Sequence, residues 1–95
     1  IQRSNQRAVE IRLRIATQAE KWELGEALAN VLICSDVEPE RCRETCARFH
    51  HANARRLIQA GLDELAKAEI TKAIEAWPDI RKEMIDDPEI WAVFE

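Results

Sequence analysis

The chain has 95 residues, 46% of them hydrophobic and 34% charged, with a formal net charge of −4. That length supports one domain, and no stretch approaches the roughly twenty apolar residues that span a bilayer. Charge is uneven: residues 1 to 56 hold ten Lys/Arg against eight Asp/Glu, and residues 57 to 95 four against ten, which is not the basic balance of a nucleic-acid binder.

Only two glycines and three prolines interrupt a chain rich in helix formers. No alternating β pattern of useful length occurs, so the expectation is an all-α fold. It would consist of four main helices in antiparallel hairpins plus short C-terminal capping helices, occupying residues 1–95 as one domain. The first residue is Ile1 rather than methionine, which suggests a piece of a longer protein. Three cysteines with no export signal point to a reducing compartment, the cytoplasm by default.

Ser4 or Asn5 is placed to cap a first helix that runs to about Ala19. Its stripe is Ala8, Ile11, Ile15 and Ala19, widened by Val9, Leu13 and Ala16. A turn is expected at Glu20 and Lys21. From Trp22 a second helix follows, with Leu24, Ala27, Leu28, Val31 and Leu32 at spacings of three and four. Ser35 to Pro39 reads as a connection in which Asp36 or Glu38 stands at the entrance of the next helix and Pro39 in its first turn.

The third helix is expected from Pro39 to Ala60, with Cys42, Cys46, Phe49, Asn53, Leu57 and Ala60 on one line and Ala54 and Ile58 beside it. After a glycine turn at Gly61, a fourth stripe comprises Leu62, Leu65, Ala66, Ile70, Ala73, Ile74 and Trp77, and Pro78 closes it. A short helix from Asp79 to Ile85 turns Ile80, Met84 and Ile85 inward. Asp87 and Pro88 then supply a cap and a first helical position for a last helix through Glu95.

The stretch from His50 to Pro78 resembles a tetratricopeptide repeat. Gly61 falls on that family's inter-helix glycine, Ala66 and Ala73 on its two alanines, Ile70 on its aromatic and Pro78 on its closing proline. Ala54 and Leu57 match its small and large positions in the preceding helix. An earlier unit can be laid over Arg7 to Val37, with Trp22 after the turn and Gly25 and Leu32 on the alanine positions. Gly25 and Ala66 are 41 positions apart, against a family period of about 34. The resemblance implies stacked helical hairpins, with residues 79 to 95 as the terminal cap; the bland alternative is a small helix bundle.

It also implies a partner-binding face made by the first helix of each pair. That face would present Arg7, Glu10, Arg14, Thr17 and Gln18 from one unit and Arg48, His51, Arg55, Ile58 and Gln59 from the other. Arginines fall seven apart in both helices, two turns on one face. Such a row can grip carboxylates in bidentate fashion. The expected function is therefore a non-catalytic protein-interaction or assembly module for an acidic peptide or neighbouring domain, with no cofactor. The same arginines could meet nucleic-acid phosphates, but no aromatic is interleaved with them as a stacking platform needs.

Cys42, Cys46 and His50 recur every four residues, with Cys34 upstream, and thiolate and imidazole are zinc ligands. An alternative reading is therefore a metal- or redox-responsive sensor built on Cys34, Cys42, Cys46 and His50. Against it, ligands spread over about three turns lie roughly 12 Å apart along the axis, so buried free cysteines are the simpler expectation. Trp91 and Phe94 are candidates for a homo-oligomer contact. The sequence contains no nucleophile–base–acid set, phosphate loop or carboxylate pair in a cleft.

Overall fold

The computed structural model describes residues 3–94. Six helices follow one another: α1 (Arg3–Gln18), α2 (Trp22–Leu32), α3 (Pro39–Gln59), α4 (Asp63–Ala76), α5 (Ile80–Ile85) and α6 (Pro88–Phe94). No strand occurs among the described residues, so the fold is all-α. Two hairpins, α1–α2 and α3–α4, pack through α3, which touches each of the other five helices. Helices α5 and α6 close the far side of the second hairpin.

Both hairpins turn in the same way. At the end of α3, Gly61 takes a left-handed φ of 78°. The N–H of Leu62 donates to the Leu57 carbonyl at 2.9 Å and that of Gly61 to Ile58 at 3.0 Å, the paired bonds of a Schellman ending. At the end of α1 the left-handed position is Glu20, φ 58°, with Lys21 donating to Ala16 at 2.9 Å and Glu20 to Thr17 at 3.3 Å. The two turns are 41 positions apart, and the buried positions repeat at the same interval. Leu13 and Ala54, Ala16 and Leu57, Gly25 and Ala66, Ala29 and Ile70, and Leu32 and Ala73 are all buried.

The core has two parts. Leu13, Ala29, Leu32, Cys42, Cys46 and Phe49 join the hairpins. Ala47, Ala54, Ile70, Ala73, Ile80, Met84 and Ile90 join the second hairpin to α5 and α6. A Cβ at Gly25 would lie 2.3 Å from Phe49 Cε1, so the bare backbone of α2 is what admits the fully buried Phe49 ring.

Several expected faces are corrected. In α1 the covered face is Gln6, Glu10, Leu13 and Ala16, while Ala8 and Ala19 are exposed and Ile11 and Ile15 are 51% and 59% exposed. In α2, Leu24 and Val31 are each 51% exposed and Ala27 is exposed, and Gly25, Ala29 and Leu32 face inward. The first hairpin thus has two apolar faces, and only one meets the second hairpin. Leu62, at the entrance of α4, and Leu65 within it are exposed, and Glu69 is buried. Ile85 is 55% exposed, because Ile80 and Met84 already fill the face that α5 turns inward, and Ala60 is exposed at the helix end.

The ends are set by local chemistry. Helix α1 is already helical at Arg3, so Ser4 and Asn5 lie inside it rather than at its cap. Pro39 opens α3 after Glu38, which adopts a left-handed φ of 47° and makes no side-chain cap bond. The Ser35 hydroxyl accepts the Val37 N–H at 3.2 Å and folds the connection. Asp87 Oδ1 accepts the Glu89 N–H at 3.2 Å, the cap expected of the Asp-Pro pair.

Candidate partner-binding groove

Helices α1 and α3 run side by side, and a groove follows their seam. One stretch of about 280 Å³ is lined by Arg14, Thr17, Gln18, Glu44, Thr45, Arg48 and Phe49. The next, about 240 Å³, is lined by Thr17, Gln18, Glu20, Trp22, Ala52, Arg55, Arg56 and Gln59. Thr17 and Gln18 belong to both, so the two stretches adjoin. Six of the ten residues expected on this face from sequence, Arg14, Thr17, Gln18, Arg48, Arg55 and Gln59, therefore line one feature.

The other four lie elsewhere, and Glu10 is buried rather than presented on the face. Arg7 is exposed on α1 outside the groove lining. Ile58 is half-buried against the core between α3 and α5–α6. His51 turns to Asp87, with Nε2 3.3 Å from Oδ2.

Three of the groove's arginines, Arg14, Arg48 and Arg55, already have a carboxylate within the chain. Arg14 Nη2 is 3.0 Å from Glu10 Oε1. Glu10 is only 1% exposed; it also accepts from Arg41 Nε at 2.8 Å and from Gln6 Nε2 at 3.3 Å. Arg48 donates from Nη1 to Glu83 at 2.9 Å and from Nε to Glu44 at 3.2 Å, and its guanidinium lies 5.4 Å from the Trp77 ring centroid. The bond to Glu83 pushes the Arg48 pKa up against partial burial. Arg55 Nε lies 3.3 Å from Asp87 Oδ2. These three guanidinium groups are about half exposed, and each retains N–H donors beyond those bonds.

Arg56 was not singled out by periodicity, yet it lines the groove. It bonds Asn53 Oδ1 from Nη2 at 2.7 Å and stands 5.4 Å over the Trp22 ring. Asn53 Nδ2 in turn donates to Glu69 Oε1 at 2.5 Å. The sequence signal was an i,i+3 Asn–Arg pair, too common on helices to stand out.

The cysteine and histidine candidates diverge. Cys42 Sγ donates to the Val37 carbonyl at 3.4 Å, Cys46 to Ala29 at 3.5 Å and the exposed Cys34 to Asn30 at 3.7 Å. His50 is held by Glu69. Among the described residues, no group of three or more His, Cys, Asp and Glu side chains is placed to hold a metal ion. Burial, then the neighbouring Cys42 and Cys34, pushes the Cys46 thiol up to about 12, away from the thiolate that metals and oxidants require.

Trp91, half-buried, donates its indole N–H to the Ile85 carbonyl at 3.1 Å; the side chain of Phe94 lies outside the described residues. No described helix is long and apolar enough to cross a membrane. Comparison with protein-family models, with curated proteins and with solved structures found no match to the chain.

Proposed function

We propose that the chain is a non-catalytic protein-interaction module that holds an acidic segment of a partner in the groove between α1 and α3. The observation that carries this reading is the convergence of Arg14, Arg48 and Arg55 on one groove floored by Thr17 and Gln18. The face also takes carboxylates from another helix within the chain, since Glu83 and Asp87 dock there from the α5–α6 end. Guanidinium groups spaced along a groove suit a row of Asp or Glu side chains, by charge-assisted bonds that orient the partner. Tandem hairpins in a tetratricopeptide-like stack would present such a groove. A cytoplasmic setting belongs to the same proposal, as do three unpaired thiols.

The test is fluorescence anisotropy with a labelled helical peptide carrying Asp and Glu on one face, across a salt series. Arg48→Ala combined with Arg55→Ala should weaken binding roughly tenfold and leave the far-ultraviolet helical signal intact. Binding should also fall as salt rises, because half-exposed charges are screened. Unchanged affinity in the double variant would remove the groove from the account.

A further inference from the structure

A second cleft lies between α2 and α4, away from the arginine groove. Its volume is about 570 Å³, in the usual range for small-molecule sites and larger than a bare ion needs. Ala29 of α2 and Ile33 just past its end give it an apolar wall, and Arg43 and His50 of α3 and Lys72 and Glu75 of α4 give it charge. We propose that this cleft binds a small organic anion, its head group toward His50, Arg43 and Lys72, and that His50 takes up a proton as the anion enters.

The geometry at His50 carries the inference. Its side chain is 10% exposed, and Nδ1 lies 3.2 Å from Glu69 Oε1. Glu69 also accepts from Asn53 at 2.5 Å and pairs with Lys72 Nζ at 3.0 Å. Burial by itself would push the Glu69 pKa up, but the bonds from His50, Asn53 and Lys72 outweigh it and hold the carboxyl at about 2. An ionised carboxylate only accepts, so Nδ1 carries the hydrogen. Nε2 is then the ring's one uncommitted polar atom, on a residue that lines the cleft.

The charged groups around the ring set the coupling. Arg43 makes no ion pair among the described residues and lines the cleft from α3. From α4, Lys72 and Glu75 line it and Glu69 stands behind the ring. Glu26 of α2 reaches Lys72 at 4.0 Å. Cys46, one turn before His50, is neutral. Glu69 favours a charged imidazolium, and Arg43 and Lys72 oppose it. An anion between those two cations removes the opposition, and a protonated Nε2 donates to it. Anion and proton therefore strengthen each other's binding, reciprocally.

The ring resonances of His50 report on this directly, with His51 as internal reference because it is tied to Asp87 and does not line the cleft. The probes are butyrate, butyl phosphate and inorganic sulfate, added across a pH series from mildly acid to mildly alkaline. The expected result is a saturable shift confined to His50, about tenfold tighter on the acid side, with an organic anion binding more tightly than sulfate. Comparing butyrate with butyl phosphate identifies the head group as carboxylate or phosphate. Arg43→Gln, at an exposed position, should weaken binding about tenfold without changing the fold. Sulfate binding as tightly as both organic anions overturns the organic ligand. His50 and His51 drifting together without saturation, or an unchanged affinity in the Arg43 variant, overturns the site.

Discussion

Gly25→Ala isolates the closest approach in the core. A methyl group there would stand 2.3 Å from Phe49 Cε1 and 3.0 Å from Cδ1 and Cζ. The ring is fully buried and has Trp22 against it, centroids 6.2 Å apart, so it cannot swing into solvent. Replacing glycine by alanine inside a helix gains about 1 kcal/mol of intrinsic propensity. Overpacking a filled core costs about 1–3 kcal/mol, and a contact this short belongs at the upper end. The net expectation is destabilisation by about 2 kcal/mol, or roughly 8–16 °C in Tm for a domain of this size. Urea and thermal melts followed by circular dichroism measure it. Phe49→Leu in the same chain should recover at least about 1 kcal/mol of the alanine penalty, read as the coupling in a double-mutant cycle. If Gly25→Ala is as stable as the parent, the ring has room that the packing denies, and the account of how α2 meets α3 fails.

Glu20→Gly should stabilise the chain by about 0.5–1 kcal/mol, because it relieves a left-handed non-glycine at an exposed turn; a loss of stability in a chemical melt would contradict this. Glu69 titrates at about 2 in the folded chain against an ordinary 4.5, so its stabilisation is fully present above 4.5 and disappears as pH falls toward 2. That contribution is about 3 kcal/mol, and Glu69→Gln should flatten the acid side of a stability–pH profile. A thiol reagent should modify Cys34 alone in the native chain and all three cysteines in denaturant, since Cys42 and Cys46 are buried; rapid native labelling of Cys46 would refute its burial. If the groove binds acidic segments, Glu83→Gln with Asp87→Asn should raise peptide affinity by freeing Arg48 and Arg55. A decrease would mean that those carboxylates organise the arginines rather than occupy them.

Much of the architecture could be read along the chain. Gly61, Pro39 and the Asp87–Pro88 pair mark helix ends through backbone constraints that act locally. Cys42, Cys46, Phe49, Asn53 and Leu57 of α3 keep to one line and are buried along it, because α3 is enclosed on most of its circumference. The amphipathic stripes of α1 and α2 misled for a different reason. Spacing identifies residues that share a face, but it does not say which of two apolar faces another element will cover. Ile11, Ile15, Leu24 and Val31 read as core, while Gln6 and Glu10 took the buried face. Their burial depends on Arg41 and Cys42, more than thirty positions away, and Glu69 depends likewise on His50 and Asn53. The arginine heptads pointed to the groove, but the docking of Glu83 and Asp87 upon them is a tertiary event with no local signature.

The one-sided packing of the first hairpin bears on how the molecule breathes. The second hairpin is sandwiched between α1–α2 and α5–α6, whereas α1–α2 leans on it from one side and leaves Ile11, Ile15, Leu24 and Val31 facing water. Amide protons in α1 and α2 should therefore exchange through partial openings that leave α3 and α4 protected. The slowest protons of the whole domain should lie in the middle of α3, where any opening must be global.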